Sequence, residues 1–290
     1  MPAKTPHLVE LGQFFKERRS RITPAQAGLP ERGHTARRVS GLRREEVAEL
    51  ASISHDYYTR IEQGRLAPSD PVLEVLIRVL RLDADQATYV RSLAQQADRR
   101  TPPRPRSPKV RPQLMRLMDQ LTDTPALILG RYLDILAWNR LASTLLVDFD
   151  ALPADQRNYV RLMFLNPHMR SIYQDWETVA RTSVSFLRME AAENPTDPRL
   201  AALVGRLSVA DEDFRVWWAE RNVASQEFGS KTLHNETVGD LTLDWDSFRY
   251  SGDPSQQLVL WSAEEGSPSA EKLALLASWS VRVPEHDRID

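Results

Sequence analysis

Gly41–Arg65, GLRREEVAELASISHDYYTRIEQGR, reads as helix, turn, helix and stop. Arg43–Ala51 is made of helix formers, with Val47, Leu50 and Ala51 along one side. Ser52-Ile53-Ser54 is the turn. Ser54 suits the N-cap of a second helix, because its hydroxyl can accept an orphan backbone N–H. Gly64 stands where that helix should stop, since glycine enters the left-handed conformation freely. Two short helices joined by about three to four residues predict a helix-turn-helix.

On a wheel of about 100° per residue, Tyr58, Ile61 and the stem of Glu62 share one face of the second helix. Asp56, Thr59, Arg60 and Gln63 share the other, with His55 at its N-terminal flank. The first face can dock on a core. The second offers donors and acceptors of the kind that read base edges. Spacing alone leaves open an ordinary solvated helix in a small bundle.

The flanking charge favours the DNA reading. From Lys16 to Arg44 there are nine basic residues and two acids, Arg37 and Arg38 among the former. Residues 1–100 carry 17 Lys and Arg against 13 Asp and Glu; residues 113–290 carry 17 against 27. The first part suits a polyanion and the last part does not. At 290 residues the chain exceeds the ~150 usual for one domain. An N-terminal domain over 1–97, a linker over 98–112 and a second domain over 113–290 are expected. The linker, DRRTPPRPRSPKVRP from Asp98, holds five prolines and reads as a basic tether.

Around the central stretch, Leu8–Ile22 is expected as a first helix. Ser69 should cap a helix with Pro71 in its first turn, and Asp83 should cap Ala84–Ala97. These make a five-helix, all-α domain. GLRREEVA, YYTRIEQGR and Pro68-Ser69-x-x-Val72-Leu73 occur in order, and residues 8–97 resemble the Cro/repressor-type (XRE) helix-turn-helix family. That family commonly has Gly where this chain has Ser52, so a slightly strained turn is expected. The resemblance implies that helix Ser54–Gln63 enters the major groove, with His55, Asp56, Thr59 and Arg60 facing bases and Ser54 among the DNA-binding residues. Arg37, Arg38, Arg43 and Arg44 would hold phosphate, on a palindromic operator bound by a homodimer.

In the second domain, Ala126–Leu129 and Ile135–Trp138 read as short strands around a turn, followed by a helical block to about Asn222. Leu241, Leu243 and Trp245 alternate with Thr242 and Asp244 as a half-buried strand. Phe248–Tyr250 and Gln257–Ser262 continue as strands, and Ser269–Trp279 closes as a helix. The plan is α+β and PAS-like, one antiparallel sheet with helices on one side. LGRYLDILAWNRLA, YVRLMFLNPHMRSIYQDWE, DPRLAALVGRLS, FRVWWAERNV and VGDLTLDWDSF resemble the ligand-binding domain of the MmyB-like regulators. Arg221-Asn222 stands where that family more often has His-Asp, and Asn235 where Pro commonly follows the His.

All seven Trp lie in the second domain. Trp138, Phe164, Phe186, Trp217, Trp218, Trp245 and Tyr250 are candidate cavity walls, with Arg131, Asn139, Arg161 and His234 as polar partners. Residue by residue, plain core is the competing explanation. The resemblance implies a small apolar, fatty-acid-like ligand and no other cofactor. A domain that only dimerises or binds a protein partner is the alternative, and a haem sensor through His168 or His234 a further one.

No Gly-rich phosphate loop, H-E-x-x-H or G-x-S-x-G is present, so an enzyme is not expected. The chain has no cysteine, and its six His lack metal-ligand spacing. With no signal segment and no long apolar run, a cytosolic protein without membrane contact is expected.

Overall fold

The computed structural model describes residues 5–29, 41–97, 110–224, 228–249, 251, 253 and 255–280. These fall into two compact units. The first contains the described residues of 1–104 together with 188–204 and 216–224. The second contains 110–187, 205–215 and the described residues from 228 onward.

The first unit opens with α1, Pro6–Arg21, which starts two residues before the expected Leu8 because Pro6 is pre-shaped for a first helical turn. α2 (Arg44–Leu50) and α3 (His55–Glu62) form the helix-turn-helix; α4 (Asp70–Val79) and α5 (Ala84–Ala97) complete the five. Ser54 caps α3, its hydroxyl accepting from Tyr57 N–H at 3.1 Å. Asp83 caps α5 by accepting from Gln86 N–H at 2.9 Å. Ser69 makes no such side-chain bond.

Both helices of the motif end alike. Ile53 N–H reaches Ala48 O and Ser52 N–H reaches Glu49 O; Arg65 N–H reaches Arg60 O and Gly64 N–H reaches Ile61 O. This crossed pair of bonds needs a left-handed residue. Gly64 supplies it at φ 66 without strain, whereas Ser52 takes φ 54 with a Cβ to accommodate. Phe14, Phe15, Leu42, Val47, Tyr58, Leu76, Tyr89 and Leu93 fill the core, which Ala192 also joins. A Cβ on Gly12 would stand 2.5 Å from Glu62 O, so α1 lies backbone to backbone against α3.

The second unit is built on a five-stranded antiparallel sheet. Its strands are β1 (Ala126–Leu129), β2 (Ile135–Trp138), β3 (Phe228–Asn235), β4 (Gly239–Arg249) and β5 (Gln257–Ser262), in the order β2-β1-β5-β4-β3. That is the expected PAS-like plan, with two differences. β4 continues through Phe248 as one strand, so the separate strand expected at Phe248–Tyr250 does not exist over the described residues. β3 is a strand the sequence did not announce.

Helices also cover both faces rather than one. Every residue of β1 is buried. Ala126 and Ile128 pack with Met118 of α6 (Pro112–Gln120). On the other face, Trp245 meets Phe186 of the long helix Trp176–Ala191, while the chain just beyond α9 (Pro167–Ile172) bonds the outer edge of β3 through Gln174 N–H and Thr232 O. A strand buried on both faces reads as an unbroken apolar run, which ALIL is. The remaining helices are α7 (Arg140–Leu145), α8 (Tyr159–Leu165), α10 (Trp176–Ala191), α11 (Pro198–Ala210), α12 (Glu212–Ala219) and α13 (Pro268–Ser280). No helix among the described residues is long and apolar enough to cross a membrane.

Candidate functional site

On α3 the two faces separate as the wheel requires. Tyr58, Ile61 and Glu62 are buried; Ser54, His55, Asp56 and Arg60 are exposed; Thr59 and Gln63 are partly covered. The Thr59 hydroxyl oxygen is buried and has no hydrogen-bond partner, so this side chain leans inward instead of presenting its oxygen to a base. Arg60 stands 3.9 Å from Asp56 across one turn, an exposed pair that a base or phosphate can compete for.

Glu62 is the electrostatic centre of the motif. It takes Arg19 Nε at 2.7 Å and Arg19 Nη2 at 3.1 Å, and Arg44 Nε at 2.7 Å. Burial pushes its carboxyl up, but the two guanidinium groups outweigh that and hold it below its ordinary value. The same carboxylate therefore aims Arg44, which stays 40% exposed, at the surface beside α3. Arg43 donates its backbone N–H to Glu46 at 2.7 Å and sets its guanidinium 3.3 Å from Glu45. Arg37, Arg38 and Tyr250, with residues 98–109 of the expected linker, lie outside the described residues.

The ten described ligand candidates do not form one set. Phe186 and Trp245 meet edge to face at 6.1 Å. Phe164 is buried between Trp176 and Phe214, both edge-on. Trp138 lies under the Arg157 guanidinium at 4.9 Å and lines an open groove of about 560 Å³ with Arg140, Thr144 and Asp150. Arg131 lies in a short 3-10 turn between β1 and β2. Arg161 has one guanidinium nitrogen buried with no hydrogen-bond partner. Trp217 and Trp218 belong to the first unit, where Arg188 stacks 3.8 Å over Trp218 and donates to its carbonyl.

Two polar candidates do structural work. Asn139 accepts from Ala142 N–H and Ala126 N–H at 3.0 Å and donates to Leu121 O and Thr124 O at 2.7 Å, so its amide is consumed capping α7 and closing a loop. His234 is exposed, 2.7 Å from Asp240. His168 is exposed as well. Among the described residues no group of three His, Asp or Glu is placed to hold a metal ion.

Two groups escaped the sequence reading. Glu10, on α1, collects Tyr89 Oη at 2.9 Å, Arg188 Nη1 at 2.8 Å and Arg221 Nη1. Burial raises its carboxyl, and the two arginines bring it below the ordinary value. Asn222, beside Arg221, accepts from Arg18 and Arg21 at 3.2 and 3.0 Å. The Arg221-Asn222 departure thus marks a contact with α1. Lys231 lies partly buried on β3, 4.8 Å over Trp245 and 6.0 Å from the Tyr173 ring, and burial pushes its ammonium down to about 8. Only Lys on the buried parity of a weakly apolar strand could have signalled it.

Two family models match. One, described as a helix-turn-helix domain, covers residues 10–88. The other, described as MmyB-like transcription regulator ligand binding domain, covers residues 110–276. Among curated proteins no match is found.

Proposed function

Because this chain belongs to the MmyB-like transcription regulators and is a DNA-binding transcription regulator, we propose that it is an XRE-type repressor whose DNA affinity is set by a small apolar, fatty-acid-like ligand. α3 enters the major groove with His55, Asp56 and Arg60 toward the bases. Arg43 and Arg44, with Arg37 and Arg38, hold phosphate. A homodimer spans a palindromic operator, because a single module buries little surface. The observation that carries the reading is the division of α3. Its buried face is spent on the core, while three polar side chains on its outer face have no structural duty beyond one exposed ion pair.

The test is a gel shift on a duplex selected by the wild-type protein from random sequence, at fixed salt. Arg60→Ala with His55→Ala should lose about 1–3 kcal/mol of preference over scrambled DNA. Undiminished preference sinks the role of α3.

One observation favours the alternative in which the second domain serves dimerisation. Phe228 and Phe248 are 67% and 54% exposed on the same face of the sheet. Sedimentation of Phe228→Ser with Phe248→Ser, beside titration of dodecanoate into the wild type, distinguishes the readings: a dimer lost in the variant and no acid bound by the wild type leave the domain with dimerisation alone, whereas binding of the acid returns the first reading.

A further inference from the structure

Between its ends, where Gly229 and Asn235 stand, the inward parity of the β3–β4 ladder is apolar except at Lys231. Leu233 pairs with Leu241, Lys231 with Leu243, and Gly229 with Trp245. Leu233, Leu241, Leu243 and Trp245 are all buried. Alternation along a strand places Lys231 on the same face as Leu233. A cation therefore occupies a core-facing position beside Leu233, Leu241, Leu243 and Trp245.

Its surroundings do not neutralise it. The ammonium has Trp245 at 4.8 Å and Tyr173 at 6.0 Å. Among the described residues no carboxylate pairs with it and no acceptor takes its protons. Tyr173 is already tied to Tyr159, hydroxyl to hydroxyl at 2.9 Å. Aromatic faces stabilise a cation only in part. On the same face two strands away, Trp261 also has its indole N–H buried without a partner, but it borders a separate groove with Asp123, Thr124 and Leu273. Desolvated donors without acceptors are costly and rare in a finished core. Lys231, over two aromatic rings and without an acceptor among the described residues, marks a place for an acceptor from outside.

We propose that Lys231 is the anchor for the anionic end of the ligand, a monocarboxylate whose apolar body runs over Phe186 and Trp245. This rests on the reading that the second domain binds an apolar acid. The carboxylate would take a charge-assisted bond from the Lys231 ammonium. The aromatic rings would contact the adjoining methylenes. The anchor fixes ligand class, because an uncharged lipid of the same length leaves the ammonium as it was.

The experiment compares dodecanoate with methyl dodecanoate by titration calorimetry on the full chain, in the wild type, Lys231→Met and Lys231→Arg. Wild type should prefer the acid over the ester by roughly ten- to a hundred-fold. Lys231→Met should bind both alike, at the affinity of the wild type for the ester, and Lys231→Arg should keep most of the preference. Circular dichroism establishes that each variant folds, and Lys231→Gln replaces Lys231→Met if that variant does not. An acid preference that persists in the neutral variant overturns the anchor and leaves the apolar ligand standing, as does equal wild-type affinity for acid and ester. No binding of either probe to wild type overturns the fatty-acid reading itself, and the anchor with it.

Discussion

The first unit buries acids and the second buries a base, and only the acids are matched. Glu62 has Arg19 and Arg44; Glu10 has Arg188, Arg221 and the Tyr89 hydroxyl. Lys231 has aromatic rings and no carboxylate among the described residues. Desolvating an ion costs several kcal/mol, which only close, well-formed partners repay. The first unit meets that cost internally, as a scaffold must. The second leaves it standing, as the proposed anchor requires.

The comparison breaks most visibly at Glu62. Glu62→Ala strands two arginines, one of them 12% exposed, and should cost about 3 kcal/mol in denaturant unfolding of the first unit. The acid side of the same effect follows from sign. Glu62 and Glu10 are held below their ordinary value, so their contribution is complete above about pH 4.3. It is lost as pH falls through their lowered values. Stability of the first unit should therefore drop below about pH 4, and that of Glu62→Ala should drop less.

Lys231→Met sharpens the contrast in the other direction. Without ligand it should stabilise the protein at pH 7 by about 1 kcal/mol, allowing for the solvent that Lys231 still touches. The folded-state pKa of about 8 lies below the ordinary 10.5. Below pH 8 the lysine is charged in both states and the fold bears the whole cost. Between pH 8 and 10.5 the folded chain sheds the proton first, and wild-type stability rises. Tyr173, pushed up by burial, stays neutral through most of that window. The advantage of Lys231→Met should shrink accordingly across thermal melts at pH 7, 9 and 10. An unchanged advantage would mean that the ammonium is not desolvated.

The smallest expected effect is Ser52→Gly. At φ 54 a serine carries a penalty that glycine lacks, set against the greater freedom of glycine in the unfolded chain. A net gain of about 0.5 kcal/mol should appear as a higher denaturant midpoint.

Much of the first unit was legible because local chemistry and burial agree there. A Ser before α3, a Gly after it and one apolar side suffice, and a carboxylate such as Glu62 on that buried side requires cations, which Arg19 and Arg44 supply. The second unit was legible where both faces or one whole face are apolar, as in β1 and β4. β3 was not, since Leu233 is its only buried hydrophobic residue and an edge strand needs little more. Asn139 was read as a ligand contact, although an Asn directly before a helical run more economically signals a cap. Lys231 and the Glu10 cluster were beyond reach. Their meaning lies in strand parity and in pairings across some 200 residues, which no local window contains.

Gly12 has a consequence for how such a protein changes its target. With no side chain between α1 and the carbonyl of Glu62, the placement of α3 is settled backbone against backbone. His55, Asp56 and Arg60 take no part in that contact and none in the core. On the proposed reading, recognition and folding are drawn from separate sets of side chains on one helix. A descendant can exchange the outer set for another operator at little risk to its stability, provided that position 12 stays bare.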